Sequence, residues 1–118
     1  MPRRRAAPIE TAEDRWLLEA QTARNLEGLA AEEAGDLDRA VALYERNVAE
    51  QFPGDWPYGR LVAIYERRGA LDEAERVLRQ AIAAIGASRR RPARDRQALV
   101  RVFRRRLALL GRQRRAQS

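Results

Sequence analysis

The sequence predicts an all-α protein, a short stack of about five antiparallel helices, and three observations predict it. The stretch GDLDRAVALYE at residues 35–45 returns 34 residues later as GALDEAERVLR at 69–79. Apolar residues around both copies recur with the period of about 3.6 that marks a helix face. Glycine and proline fall between these runs, at Gly35, Pro53-Gly54, Gly69, Gly86 and Pro92. The short links they leave make successive helices antiparallel neighbours.

Residues 1–10, with three Arg and two Pro, read as a disordered basic arm. Residues 11–88 read as the helical repeats, starting with a long first helix that ends near Ala34. Thr11 is its expected N-cap, with Asp14 three positions on as a reciprocal partner. Trp16, Ala20, Ala23, Leu26 or Glu27, and Ala30 follow the helical period and form its expected apolar face, widened by Leu17, Leu18 and Leu29. Gly28 within this run predicts a close helix crossing, which would offset its cost of about 1 kcal/mol against Ala.

Gly35 supplies the turn, and Asp36 caps a second helix to about Gln51, with Ala40, Leu43, Tyr44 and Asn47/Val48 inward. Phe52-Pro53-Gly54-Asp55 breaks the chain, and Asp55 is the expected cap of a third helix carrying Leu61, Val62, Ile64 and Tyr65 inward. Gly69 ends it. The fourth helix spans about Leu71 to Ile85, burying Ala74, Leu78, Ala81, Ile82 and Ile85. Residues 89–110 read as a basic capping helix with Leu99, Val102, Phe103, Leu107 and Leu110 on one face. Residues 111–118 are expected to fray. Arg106 falls inside that apolar face, so either its stem packs and its guanidinium reaches water, or it meets a carboxylate of a neighbouring helix.

Matched positions across the repeat include Gly35/Gly69, Leu37/Leu71, Asp38/Asp72, Ala40/Ala74, Tyr44/Leu78 and Glu32/Glu66. With Gln21 opening one unit and Asp55 the next, the chain resembles a tetratricopeptide repeat (TPR) protein over residues 21–88. Gly28, Ala40 and Tyr44 in the first unit, and Tyr65, Ala74, Leu78 and Ala81 in the second, suit that family's small and large packing positions. Ala31, Asn47 and Phe52 depart from it. The resemblance implies a right-handed superhelix whose first helices line a groove for an extended peptide or a helix. It places Thr22, Asn25, Leu29, Glu32 and Glu33, then Trp56, Gly59, Ala63, Glu66 and Arg67, on that groove. Trp56 either covers the hairpin junction or presents an anchor to a partner. The chain has no Lys, so it cannot reproduce the Lys/Asn clamp by which some family members hold a terminal carboxylate. The mildly acidic groove suits a basic or amphipathic protein or peptide partner, with a second copy of the chain as another.

Charge is segregated. Residues 11–86 carry nine Arg against fifteen acidic groups, and residues 87–118 carry twelve Arg and one Asp. Arg89, Arg90, Arg91, Arg94, Arg96, Arg101, Arg104, Arg105, Arg112, Arg114 and Arg115 form a dense polycation. It gives an alternative function: nonspecific DNA or RNA contact with steep salt dependence, assisted by Arg3, Arg4 and Arg5. No base-reading motif accompanies it.

The chain has no Cys and no His, which removes thiolate nucleophiles, His acid/base chemistry and Cys/His zinc sites. No spacing resembles a calcium loop, and no cofactor is expected. No stretch nears the roughly 18 apolar residues needed to span a membrane. These readings converge on a noncatalytic, cytoplasmic interaction or scaffold module.

Overall fold

The computed structural model describes residues 11–117. Five helices follow in order: α1 (Ala12–Glu33), α2 (Leu37–Ala49), α3 (Trp56–Arg67), α4 (Leu71–Ala87) and α5 (Ala93–Gln117). Each packs chiefly on its sequence neighbours, α1 on α2, α2 on α3, α3 on α4 and α4 on α5. The result is an elongated stack. Its Cα radius of gyration is 16.1 Å, against roughly 13 Å for a spherical domain of this size. The expected basic arm at residues 1–10, with Arg3, Arg4 and Arg5, lies outside the described residues.

Local chemistry sets the boundaries. Thr11 and Asp14 close a capping box: the Asp14 amide donates to Thr11 Oγ1 at 3.0 Å, and the Thr11 amide donates to Asp14 Oδ2 at 3.1 Å. Gly35 and Gly69 take φ of 79° and 72°, so the next amide can donate five residues back, Asp36 to Ala31 and Ala70 to Tyr65, both at 2.8 Å. Asp36 caps α2 by accepting from the Arg39 amide at 3.1 Å. Asp55 stands at the start of α3, but its side chain accepts no capping bond, contrary to expectation. Pro57 in the first turn sets the backbone there instead.

The core runs through all five helices, but unevenly. Ala40, Tyr44, Leu61, Val62, Ile64, Ala74, Val77, Leu78, Ala81 and Ile85 are buried, and Val100, Phe103 and Leu110 close it from α5. Gly28 does mark a close crossing: a Cβ there would overlap the Tyr44 ring. The Tyr58 hydroxyl donates to the Phe52 carbonyl at 2.7 Å, and its ring meets Phe103 edge-on with centroids 6.3 Å apart.

The expected face of α1 is turned the other way, and that of α5 is displaced at one position. α1 buries Gln21, Asn25, Gly28 and Ala31, while Trp16 and Leu26 point outward at 72% and 64% exposure. In α5, Val100 takes the inward place expected for Val102, which is exposed. α5 also continues to Gln117 instead of fraying after Leu110. The reason lies in Arg114, which pairs with both Asp72 and Glu75 at the start of α4.

Candidate interaction surface

α1 and α3 are the first helices of the two hairpins, and side chains join α1 to α3 and α3 to α5. Arg60 of α3 reaches Glu32 of α1 through Nη2 at 2.5 Å and Nε at 3.1 Å. The Tyr44 hydroxyl donates to the same carboxylate at 2.6 Å. Arg60 and then Tyr44 hold the Glu32 carboxyl below its usual range, against the opposing effect of burial. Burial, reinforced by Glu32, pushes the Tyr44 phenol up to about 12, while the nearby Trp56 indole and Arg60 oppose the rise. Between α3 and α5, Arg106 lies 3.8 Å from Glu66 and close to Gly59. The arginine inside α5's apolar face thus meets a neighbouring carboxylate.

These contacts sort the expected groove positions. Asn25 is buried in the α1–α2 seam and accepts from the Asn47 amide at 2.7 Å. Glu32 and Glu66 are engaged by Arg60 and Arg106. Leu29, Gly59 and Ala63 are half-buried, and Thr22, Glu33 and Arg67 are exposed. Trp56 is 43% exposed beside the Tyr44–Glu32 pair, so one flank packs and the other is open. The surface is therefore much less acidic than its composition implies, because arginines of the same chain already neutralise two of its three carboxylates.

The arginine-rich segment divides as well. Arg90 donates to the Asp14 carbonyl at 3.1 Å, Arg91 to the Pro53 carbonyl at 3.3 Å and Arg96 to the Arg91 carbonyl at 2.9 Å. These bonds tie the α4–α5 link to the rest of the stack, as Arg114 ties down the end of α5. Arg89, Arg94, Arg101, Arg104, Arg105 and Arg112 are exposed and form no hydrogen bond or ion pair among the described residues. Arg115 is engaged.

The outward faces of α1 and α5 were missed as surfaces. On α1, Trp16, Ala23, Leu26 and Ala30 lie exposed along one side. On α5, Ala98, Val102 and Leu109 do the same. Helical periodicity alone reads Trp16, Ala23, Leu26, Ala30 and Val102 as core, and it leaves Ala98 and Leu109 unassigned. A cleft of about 520 Å³ opens between the start of α1 and the end of α4, lined by Asp14, Leu17, Gln21, Glu50, Ala84 and Ser88 among others. It brings together no nucleophile with a base. Among the described residues no cluster of His, Cys, Asp or Glu could hold a metal ion, and no helix is long and apolar enough to cross a membrane.

Residues 58–92 match the family described as Tetratricopeptide repeat. This hairpin is TPR-like. The matched stretch takes in most of α3, all of α4 and the link to Pro92, so it covers the second of the two units that the sequence suggests. The first unit shares its hairpin architecture and close-packed alanine, with Ala40 corresponding to Ala74, both fully buried. No curated protein and no solved structure matches the chain. The TPR-like helical repeat is known as a noncatalytic architecture, in keeping with a non-enzymatic chain.

Proposed function

We propose that the chain is a cytoplasmic interaction or scaffold module whose two hairpins form a right-handed TPR-like superhelix that holds a protein partner. The observation that carries this reading is Trp56, a large aromatic side chain fixed on one flank at the junction of α1, α2 and α3 and open on the other. Such half-seated aromatics supply anchoring area at little entropic cost. Thr22, Leu29, Glu33 and Arg67 supply the adaptable part of the surface. With Glu32 and Glu66 internally paired, the partner is an amphipathic peptide or helix that offers an apolar side chain to Trp56, with a minor basic component for Glu33.

The test is capture of partners from source cells with Leu29→Ser and Trp56→Ser in combination. Partners should be lost while the helical circular-dichroism signal persists. Retained capture would remove this surface from consideration.

The six exposed arginines that pair with no described residue favour a second reading, nonspecific nucleic-acid contact. It expects a DNA or RNA mobility shift at low salt that disappears on changing Arg94, Arg101, Arg105 and Arg112 to Gln. Absence of any shift at low salt would dismiss it.

A further inference from the structure

The two end helices of the stack are each covered on one side only. α1 packs on α2 and α5 on α4, leaving outward faces of similar length. At 1.5 Å per residue the helices are roughly 33 Å and 38 Å long. On a wheel of about 100° per residue, Trp16, Ala23, Leu26 and Ala30 share a quarter-turn of α1. Glu27 and Glu33 border that strip, and Glu19 stands within it between Leu26 and Ala30. On α5, Ala98, Val102 and Leu109 form the matching strip, with Arg94, Arg101, Arg105 and Arg112 in a row beside it. All of these residues are exposed. The minority charges, Arg15 and Asp95, sit in the first turns of their helices.

The two faces complement each other and neither complements itself. Pairing α5 with α5 would set one arginine row against another, and pairing α1 with α1 would crowd glutamates. Pairing α1 with α5 covers both apolar strips and places glutamates opposite exposed arginines, which favours that register by charge as well as by area. We propose that the outward face of α1 docks on the outward face of α5 in a second copy, joining copies end to end through a heterologous contact. Such a contact leaves one face free at each end of the assembly, so it propagates or closes into a ring. The proposal deepens the interaction-module reading by naming a second copy as partner, and it uses the end faces instead of the surface around Trp56.

Sedimentation of the full chain across concentration tests it. The mass should rise beyond a dimer, and fall again in high salt as exposed charge pairs are screened. Two variants block the ends separately: Trp16→Glu with Leu26→Glu, and Val102→Glu with Leu109→Glu. All four side chains are exposed, so circular dichroism should show both variants fully helical. Each alone should be monomeric. Mixed in equal amounts, they should form a dimer and go no further, because each retains the face the other lacks.

A wild-type chain that stays monomeric up to its solubility limit would overturn the proposal. So would a mixture that remains monomeric, or a single variant that keeps the wild-type mass, which would indicate a symmetric contact. Mass that vanishes with nuclease treatment would assign the arginine row to nucleic acid instead. The Leu29→Ser, Trp56→Ser variant should self-associate normally, so failure of the end contact and failure of the Trp56 surface are separable.

Discussion

Asn47 donates its side-chain amide to Asn25 at 2.7 Å across a seam where Asn47 has no exposed surface. The same amide reaches the Gln21 carbonyl at 2.8 Å, and its oxygen accepts from Arg24 at 2.5 Å. Arg24 continues to Glu50 at 2.8 Å, and Gln21 joins there at 3.2 Å. Every buried side-chain polar atom among the described residues has a partner. A small residue at 47 would suit helix packing, yet it would strand this network. Asn47→Ala should therefore cost about 1–3 kcal/mol in chemical denaturation. Asn25→Ala should cost far less in the Asn47→Ala background than in the wild type, because the bond it breaks is already gone.

Gly28 offers a test with a reversal of sign. Helix propensity alone gives Ala an advantage of about 1 kcal/mol at an internal helix position. The Tyr44 ring occupies the space a Cβ would need, so Gly28→Ala should instead destabilise by about 1–3 kcal/mol. Shortening the partner, Tyr44→Leu, should absorb part of that penalty. Stability curves of the single and double variants measure the coupling.

Gln51 is the non-glycine residue with positive φ among the described residues, at 58°. It ends α2 in the left-handed conformation that Gly35 and Gly69 take after α1 and α3, and its side chain is exposed. Gln51→Gly should raise stability by up to about 1 kcal/mol, because the left-handed penalty disappears. A rise in thermal midpoint with unchanged circular dichroism checks it.

The three tyrosines make alkaline stability directly readable. Burial raises Tyr44 to about 12 and raises Tyr58 and Tyr65 above the ordinary phenol range, with Glu45 adding to the effect on Tyr65. A raised folded-state pKa favours the neutral form in the fold. The stabilisation is complete below the ordinary pKa near 10 and is lost as pH climbs through the folded value. Tyrosinate absorbance should stay low around pH 10 and then appear with unfolding. Glu32 and Glu50 act in the opposite sense: Arg60 and Arg24 respectively lower them. Their contribution holds above the ordinary carboxylate range and is lost on acidification through the folded values.

The hairpin plan was legible because turns and close crossings depend on local residue types. Gly35, Gly69, Ala40, Ala74 and the Thr11–Asp14 box are examples. The orientation of α1 was not legible. Periodic Trp16, Ala23, Leu26 and Ala30 mark a face that gains from cover, but periodicity does not say whether the cover comes from the same chain. The face α1 does bury is polar, so it left no hydrophobic signal. In α5, Val100 and Val102 differ by about half a turn of helix, and only the docking angle on α4 decides between them. The pairing of the groove carboxylates was not legible for a different reason. Glu32 meets Arg60 and Glu66 meets Arg106 across distances in sequence that no local pattern reveals.

The polar seam beneath α1 makes the stack uneven in cooperativity. Of the buried apolar core, α1 contributes Ala31 alone, so lifting it away exposes little hydrocarbon and mostly trades internal hydrogen bonds for bonds to water. Amide hydrogen exchange should therefore run as a gradient, fastest in α1 and slowest in α3 and α4. The first helix is the natural unit of sub-global opening, and whatever covers Trp16 would act as a clamp on that motion.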